Sequence, residues 1–485
     1  MALDRRKFIK TLGAGAAVTA LAPESLLASG SREKERRSLD LKHTGFPDLN
    51  CDVCVVGAGP SGIPAAISAA REGASVILVE EDAVVGGATT DMFVTYMCGA
   101  PHTGIYLDFI RELERRFPTS GTPSKTLGKW AWDGKHHWWM PSACLQVFNA
   151  ALASYPNIKV MCGAPVVDVI VRDKGNRRQV QGVYVYRCGL LQKITAAVTI
   201  DATGSGFVAA KAGCEYWYGV DARTDFGESI GPDTRSDKVQ LCTQMFISSR
   251  TRRDARFPLE EFNTGVLDND DKKWATQQTR EYFENKDTGT YLHWGATVEC
   301  PDTTDSVLLA EAQAKALKKL EPKLKALQEA GFATFLAPRI GVRETRRIKG
   351  DAAVKVDDVF NGVFPDDSVA DAWYNIDTWG FKVENMPKVR PYGIPYRALT
   401  PRDTDGLLTA GRIISGSHFA MGSYRVQPIC GTIGEAAGCA AALVARHKTT
   451  TRGIDVREIQ LALDAKGVFD WYSNVHMNIN NKPWK

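Results

Sequence analysis

The chain has 485 residues, 44% of them apolar and 24% charged, with a formal net charge of +4. That length holds one large domain or two medium ones with an ample core, and the composition is that of an ordinary globular protein. No Lys/Arg run marks a nucleic-acid surface, and the eleven irregularly spaced cysteines make a poor disulfide framework and carry no zinc or iron–sulfur spacing.

The stretch LDRRKFIKTLGAGAAVTALAP, residues 3 to 23, places Arg5 and Arg6 before Phe8, Ile9 and Lys10, then a mildly apolar run ending near Pro23. This is the layout of a twin-arginine export signal. The run is too short and too rich in Gly and Ala for a stable membrane span, which takes about 20 strongly apolar residues. Residues 1–30 are therefore expected to be the signal, with the twin-arginine translocase as a partner and the periplasm or another exported location as destination. Cleavage after Ala22 is disfavoured by Pro23; a later site near Ala28 or Gly30 and an uncleaved anchor both stand. Residues 31–48, opening with SREKERR, read as a solvated linker.

From Cys51 the chain reads CDVCVVGAGPSGIPAAISAAREGASVILVEEDAVVGGATT. Asp52 to Val56 predicts a buried parallel strand, Ile63 to Arg71 a helix ended by Gly73, and Ser75 to Val79 a second buried strand. Cys51 and Cys54 lie three apart on the first strand, which predicts opposite faces and argues against a disulfide or a shared metal. Gly57-Ala58-Gly59-Pro60-Ser61-Gly62 fills G-x-G-x-x-G. Gly57 makes the tight turn, Gly59 lets backbone N–H groups approach a pyrophosphate, and Gly62 permits close helix packing. The helix N-terminus adds partial positive charge for phosphates. Glu80, followed by Glu81, ends the second strand where a carboxylate accepts ribose hydroxyls. Strand, turn, helix, strand and acid together predict a dinucleotide-binding unit.

Two later features favour FAD over a nicotinamide. A second glycine pair follows in GGATT (86 to 90), and AVTIDATGSGFVAAKAG (197 to 213) predicts a late strand returning to the same sheet and ending at Ala202-Thr203-Gly204. No second dinucleotide fingerprint appears in mid-chain, and Cys98 stands alone where a flavin-linked disulfide reductase needs two cysteines.

With these segments, and with IGVRETRRIKGD, IPYRAL and GLLTAGRIISGSHFAMGSYRVQPICGTIGEAAGCAAAL, most of the mature chain resembles the FAD-dependent oxidoreductases related to the heterodisulfide reductase and glucose-inhibited-division flavoproteins. The resemblance implies an α/β, doubly wound (Rossmann-like) FAD domain built from residues 49–215 and 391–450. An α+β substrate or cap domain at 216–390 would be inserted in it, with a C-terminal helix and tail at 451–485. It implies FAD contacts from Gly57, Gly59, Pro60, Ser61, Gly62, Glu80, Glu81, Gly87, Thr89 and Val167, and from Ala202, Thr203, Gly204, Gly411, Arg412, Gln427 and Pro428. A strand at 407 to 409 would end beside the pyrophosphate. A helix from Pro428 to Ala442 would point its N-terminus at the flavin ring, where its dipole favours the reduced anion. The cysteine clusters that bind iron–sulfur centres in some members are missing, so no metal is expected.

Within the insert, EAQAKALKKLEPKLKALQEAG predicts a long helix from about Ser306 to Ala330, kinked at Pro322 and stopped by Gly331. His418, in SGSHFAMGSYRV, is a candidate proton donor or base beside the flavin, with a packing histidine as the equal alternative. Arg425, toward an anionic substrate or the flavin O2, and Arg343, toward an anionic substrate, are candidates for binding; capping and strand ion pairs are the alternatives. Two aromatic stretches, KWAWDGKHHWWMP (129 to 141) and DAWYNIDTWG (371 to 380), read more readily as packing than as substrate walls. The expected function is an exported enzyme that moves hydride between a small organic substrate and flavin, with electrons passing to a quinone, a cytochrome or oxygen. A carrier-fed reductase of an activated C=C bond, and a non-redox protein with structural FAD, are the alternatives.

Overall fold

The computed structural model of the chain describes residues 45–99, 103–117, 138–258, 284–285, 289–381 and 386–468, all within the unit His43–Lys485. The expected export signal, most of the linker, residues 129 to 137 of the first aromatic stretch and the tail from 469 lie outside them.

Strand β1 (Leu49–Val56) is buried from Val53 onward, so it belongs in the middle of a sheet covered on both faces. It pairs in parallel with β2 (Val76–Val79), and β2 with β3 (Ile158–Met161). An antiparallel meander follows, β4 (Val166–Lys174), β5 (Arg177–Arg187) and β6 (Leu190–Asp201). Strand β6 then lies parallel to the other side of β1, with Val56 opposite Asp201. This return carries Ala202, Thr203 and Gly204 to the end of β1, where the glycine turn begins. At the start of β1 the alternation of faces fails. Cys51 and Cys54 share one apolar cluster, and Asp52 and Val53 both donate their N–H to Ser75 O at 3.1 Å. That is bulge pairing, which re-aims the neighbouring side chains.

The chain then leaves the sheet through β7 (Tyr216–Trp217), β8 (Cys242–Arg250), β9 (Glu284–Asn285), β10 (Thr290–Val298), β11 (Phe332–Leu336) and β12 (Arg347–Ile348). Four of these form an antiparallel sheet in the order β11-β8-β10-β9, and β7 pairs with β12. The helix Ser306–Glu329 packs on that sheet through Ala312, Ala316, Leu320 and Leu327. Asp305 caps it, accepting from Val307 and Leu308 N–H at 2.8 and 3.1 Å, and the helix runs on through Pro322 to Glu329.

After β13 (Ser368–Ala372) and β14 (Tyr392–Pro395), the chain rejoins the first sheet. There β15 (Thr404–Asp405) pairs with β5 and β16 (Leu407–Thr409) with β6, both in parallel. The closing helix Gln427–His447 lies against helix Gly62–Arg71. A Cβ at Gly434 or Gly438 would run into the Ser61 or Ala65 carbonyl oxygen, so only glycine permits this approach. By length and composition the closing helix could cross a membrane, but 94% of its apolar window is buried within the protein, as in a core helix. The main core joins these two helices to one face of the sheet through Val53, Val55, Ile63, Ile200, Ile429 and Ile433. The architecture is the doubly wound α/β class expected from the sequence.

Candidate active site

Strands β1, β2, β6 and β16 end together, and the glycine turn fills the gap between them. Gly57 has φ +96°, and its N–H donates to Val79 O at 2.8 Å. A Cβ at Gly57 would meet Ala202 O at 2.6 Å, and one at Gly62 would run into Gly57 O. Gly59 differs: nothing lies nearer to its Cβ position than Gly87 Cα at 4.0 Å. Two glycines thus serve backbone packing, while the third keeps a cradle open.

A cleft of about 330 Å³ opens over this turn. Gly57, Gly59, Pro60, Ser61, Glu80, Glu81, Gly87, Ala202, Thr203, Gly204, Gly411, Arg412 and Gln427 line it. Four expected residues do not. Gly62 is buried behind the turn, and Pro428 is buried in the first turn of the closing helix. Thr89 Oγ1 is engaged by Gln427 Oε1 at 2.9 Å. On β4 it is Val166, not Val167, that faces the cleft, because neighbouring side chains on a strand point to opposite faces.

The two acids at the end of β2 have different duties. Glu80 is buried: Oε2 accepts the Ala58 N–H at 2.6 Å and Oε1 accepts the Asp82 N–H at 3.1 Å. Burial pushes its pKa up. It therefore clamps the glycine turn as well as facing the cleft. Glu81 is exposed and pairs with Arg339 at 2.8 Å; Arg339 also reaches Asp82 at 2.6 Å.

A smaller chamber of about 120 Å³ shares Ala88, Met92, Val342, Arg412, Arg425 and Gln427 with the cleft. Its remaining wall includes Tyr96, Cys98, Thr243, Met245, Trp294, Arg343, Tyr374, Asp377 and Trp379. Phe93, with a left-handed φ of 55°, turns the backbone between the lining residues Met92 and Val94. Tyr374, Asp377 and Trp379 come from DAWYNIDTWG, which corrects the packing reading of that stretch. Its counterpart differs: Trp138 and Trp139 are buried in apolar clusters, and Trp139 Nε1 donates to Phe117 O at 3.2 Å.

Three half-buried arginines line these cavities, Arg412 and Arg425 both of them and Arg343 the chamber. Arg343 Nη1 donates to Leu241 O at 2.7 Å and Thr243 Oγ1 at 2.6 Å, and its guanidinium lies 4.1 Å from the Trp379 ring centre. Among the described residues no carboxylate pairs with it; burial, and then Arg425, pull its pKa down to about 10. Arg412 Nε donates to Gly204 O at 2.8 Å, and burial pulls its pKa down to about 10 as well. Arg425 pairs with Asp377 Oδ2 at 2.9 Å, yet its Nε is buried without a partner. Lowered arginine pKa values record positive charge held away from water without enough negative charge beside it.

His418 lines neither cavity. It opens the helix His418–Tyr424 and is fully buried, with Nδ1 2.8 Å from Glu344 Oε1 and its own N–H donating to Asp221 Oδ2 at 2.9 Å. Phe381 and Phe419 meet its ring edge-on. Arg347 completes the group by bonding Asp221, Gly219 O and Gly416 O. Glu344 and Asp221 thus turn His418 into this ionic cluster and away from the chamber, which corrects its expected place among the reacting atoms.

A family model described as FAD dependent oxidoreductase matches residues 52–463. The alpha subunit of sarcosine oxidase from Rhizobium meliloti (strain 1021) is 54% identical over 39 residues, 8% of this chain and 4% of that protein. Fumarate reductase (cytochrome) of Shewanella frigidimarina (strain NCIMB 400) is 42% identical over 67 residues, 14% of this chain and 11% of that protein. The chain thus spans only a small part of the curated relatives it matches. The crystal structure of L-proline dehydrogenase from P. horikoshii aligns over 87% of this chain and 99% of its own, at 10% identity and a TM-score of 0.37.

Proposed function

Because the chain belongs to the FAD dependent oxidoreductase family, we propose that it binds FAD along the glycine cleft and oxidises a small organic anion seated in the adjoining chamber. The residues present suit that cofactor: Gly59 leaves its cradle open, and Arg412 stands beside Gly204 with no acid of its own among the described residues. Gly57, Gly59, Ser61, Thr203, Gly204, Gly411 and Arg412 would hold the diphosphate and ribose portions, and Gln427 and Ala88 would flank the ring. When bound, FAD supplies two-electron exchange: the substrate gives up a hydride and a proton, and the electrons leave to a quinone, a cytochrome or oxygen.

The observation that carries the substrate reading is Arg343, a half-buried guanidinium on the chamber with no acid partner among the described residues. A carboxylate there would accept charge-assisted hydrogen bonds, roughly twice as strong as neutral ones. Arg425, held by Asp377, adds a second positive edge. The N-terminus of the closing helix at Gln427 favours negative charge at the junction of cleft and chamber. His418 acts as a positioning residue, holding Glu344 and through it the segment that carries Arg343. We place the reaction outside the cytoplasm on the strength of Arg5 and Arg6. The reverse direction, reduction of an activated C=C bond with electrons from a carrier, draws support from the 67-residue likeness to fumarate reductase (cytochrome).

The visible spectrum of the purified protein, before and after acid precipitation, followed by anaerobic addition of candidate carboxylates, tests the reading. Bleaching by an anionic substrate is expected. A tightly bound flavin that neither carboxylate donors nor, once reduced, unsaturated carboxylate acceptors can turn over would sink it. Arg343→Gln should retain the flavin spectrum and raise KM by about tenfold to a hundredfold, the worth of a hydrogen bond to a charged group.

A further inference from the structure

We infer that the chamber selects a carboxylate carrying one flat apolar ring, an aryl monocarboxylate, over a short aliphatic dicarboxylate. The inference rests on the reading of the chamber as the substrate site and narrows the class of anion. Charge is the first argument. Arg425 is already paired with Asp377 at 2.9 Å, and Arg412 is tied to Gly204 O at 2.8 Å and also lines the glycine cleft. Arg343 lines the chamber and not the cleft, and it has no acid partner among the described residues. Arg343 matches one carboxylate. A second carboxylate would have to compete with Asp377 for Arg425 or with the occupant of the cleft for Arg412, or else face an apolar wall, where burying it is costly.

The wall is the second argument. Tyr96, Trp294, Tyr374 and Trp379 all line the chamber, and none of them lines the glycine cleft. Tyr96 and Trp294 stand edge to face with ring centres 5.9 Å apart. The Trp379 ring covers one face of the Arg343 guanidinium at 4.1 Å. A carboxylate can then approach Arg343 through its N–H edge, in the plane where its fork is directional. A ring attached to that carboxylate would face aromatic partners, an arrangement worth more than its buried area alone.

Size is the third argument. An apolar cavity of about 150 Å³ accommodates benzene. The chamber, at about 120 Å³ and opening toward the shared residues, is of the size of one ring whose carboxylate reaches Arg343.

The test titrates the full-length, FAD-loaded protein with phenylacetate, benzoate, succinate and benzyl alcohol, reading tryptophan fluorescence and the visible flavin bands. One of the aryl carboxylates should bind at least tenfold more tightly than succinate, and benzyl alcohol should not bind. Trp294→Ala should erase most of that preference, while Arg343→Gln should weaken both classes of carboxylate. If Trp294→Ala loses its flavin spectrum, Trp294→Leu, which fills more of the space without a ring, replaces it. Succinate binding as tightly as the aryl compounds would overturn the ring preference and leave the anion site standing. Failure of every carboxylate to perturb either signal would overturn the anion reading and this inference with it.

Discussion

Gly59 and Gly62 stand three residues apart in one turn and obey different constraints. A Cβ at Gly62 collides with a backbone carbonyl that cannot move without opening the turn, whereas one at Gly59 enters the cleft. Gly62→Ala should therefore lose about 3 kcal/mol of stability, the upper part of the range for overpacking, seen in denaturant unfolding of the apoprotein. Gly59→Ala should leave apoprotein stability within about 1 kcal/mol and lower the FAD content on purification. The opposite pattern would mean that Gly59 is the packing residue. Glycine roles of this kind are legible in a sequence because the constraint is the local backbone. The role of Trp379 was not, because an indole packs equally well in a core or on a cavity wall, and only its neighbour Arg343 distinguishes the two.

At the scale of elements, the closing helix does two jobs with one set of small residues. Gly434 and Gly438 let it press on the glycine-turn helix, which holds its N-terminus beside the cleft. The same helix buries Glu435, whose Oε2 accepts the Ile105 N–H at 3.0 Å while Arg71 stands 3.7 Å from Oε1. Burial pushes its pKa from 4.5 to about 7. The folded state thus binds this proton more tightly than the unfolded chain. The contribution to stability is full below about pH 4.5 and is lost as pH rises through 7, a change of about 3 kcal/mol. Asp91, also raised by burial to about 7, acts in the same direction. Glu435→Gln keeps an acceptor for Ile105 and should flatten its share of that slope. The difference in denaturant midpoint between variant and parent should grow in the variant's favour from pH 5 to pH 8. A constant difference would show that Glu435 does not titrate in this range.

Over the whole molecule, segments distant in sequence meet in one buried ionic group, Arg347 with Asp221 and Glu344 with His418. It ties the β7–β12 pair to the approach of the closing segment at Gly416. Replacing Arg347 with Met leaves two acids buried without their cation, and should cost about 3–5 kcal/mol, measured by equilibrium unfolding. Replacing Asp221 with Asn in the same background should recover part of that loss. The proposed export is a property of the whole chain as well: Arg5→Lys with Arg6→Lys should hold the protein in the cytoplasm, folded and yellow. Fractionation that still finds it outside would remove the twin-arginine assignment.

The sequence by itself determined the two strands that flank the glycine turn, the late strand that returns beside them, the turn itself and the class of cofactor. Each depends on residues close in the chain: a run of apolar side chains, a glycine where no Cβ fits, an acid at a strand end. The family resemblance located the closing strand Leu407–Thr409 and the helix after it. Only the tertiary structure decided which polar side chains face the cavities. His418 read equally as a reactive or a packing residue beside the closing segment, because the acids that claim it, Asp221 and Glu344, lie 197 and 74 residues away. Arg343 read either as an anion clamp or as one of several salt-bridged arginines, and it is the packing of β8 and Trp379 around it that leaves its charge without an acid among the described residues. A side chain's chemistry is written in its residue type, but its protonation and reach are set by partners that arrive from elsewhere in the chain.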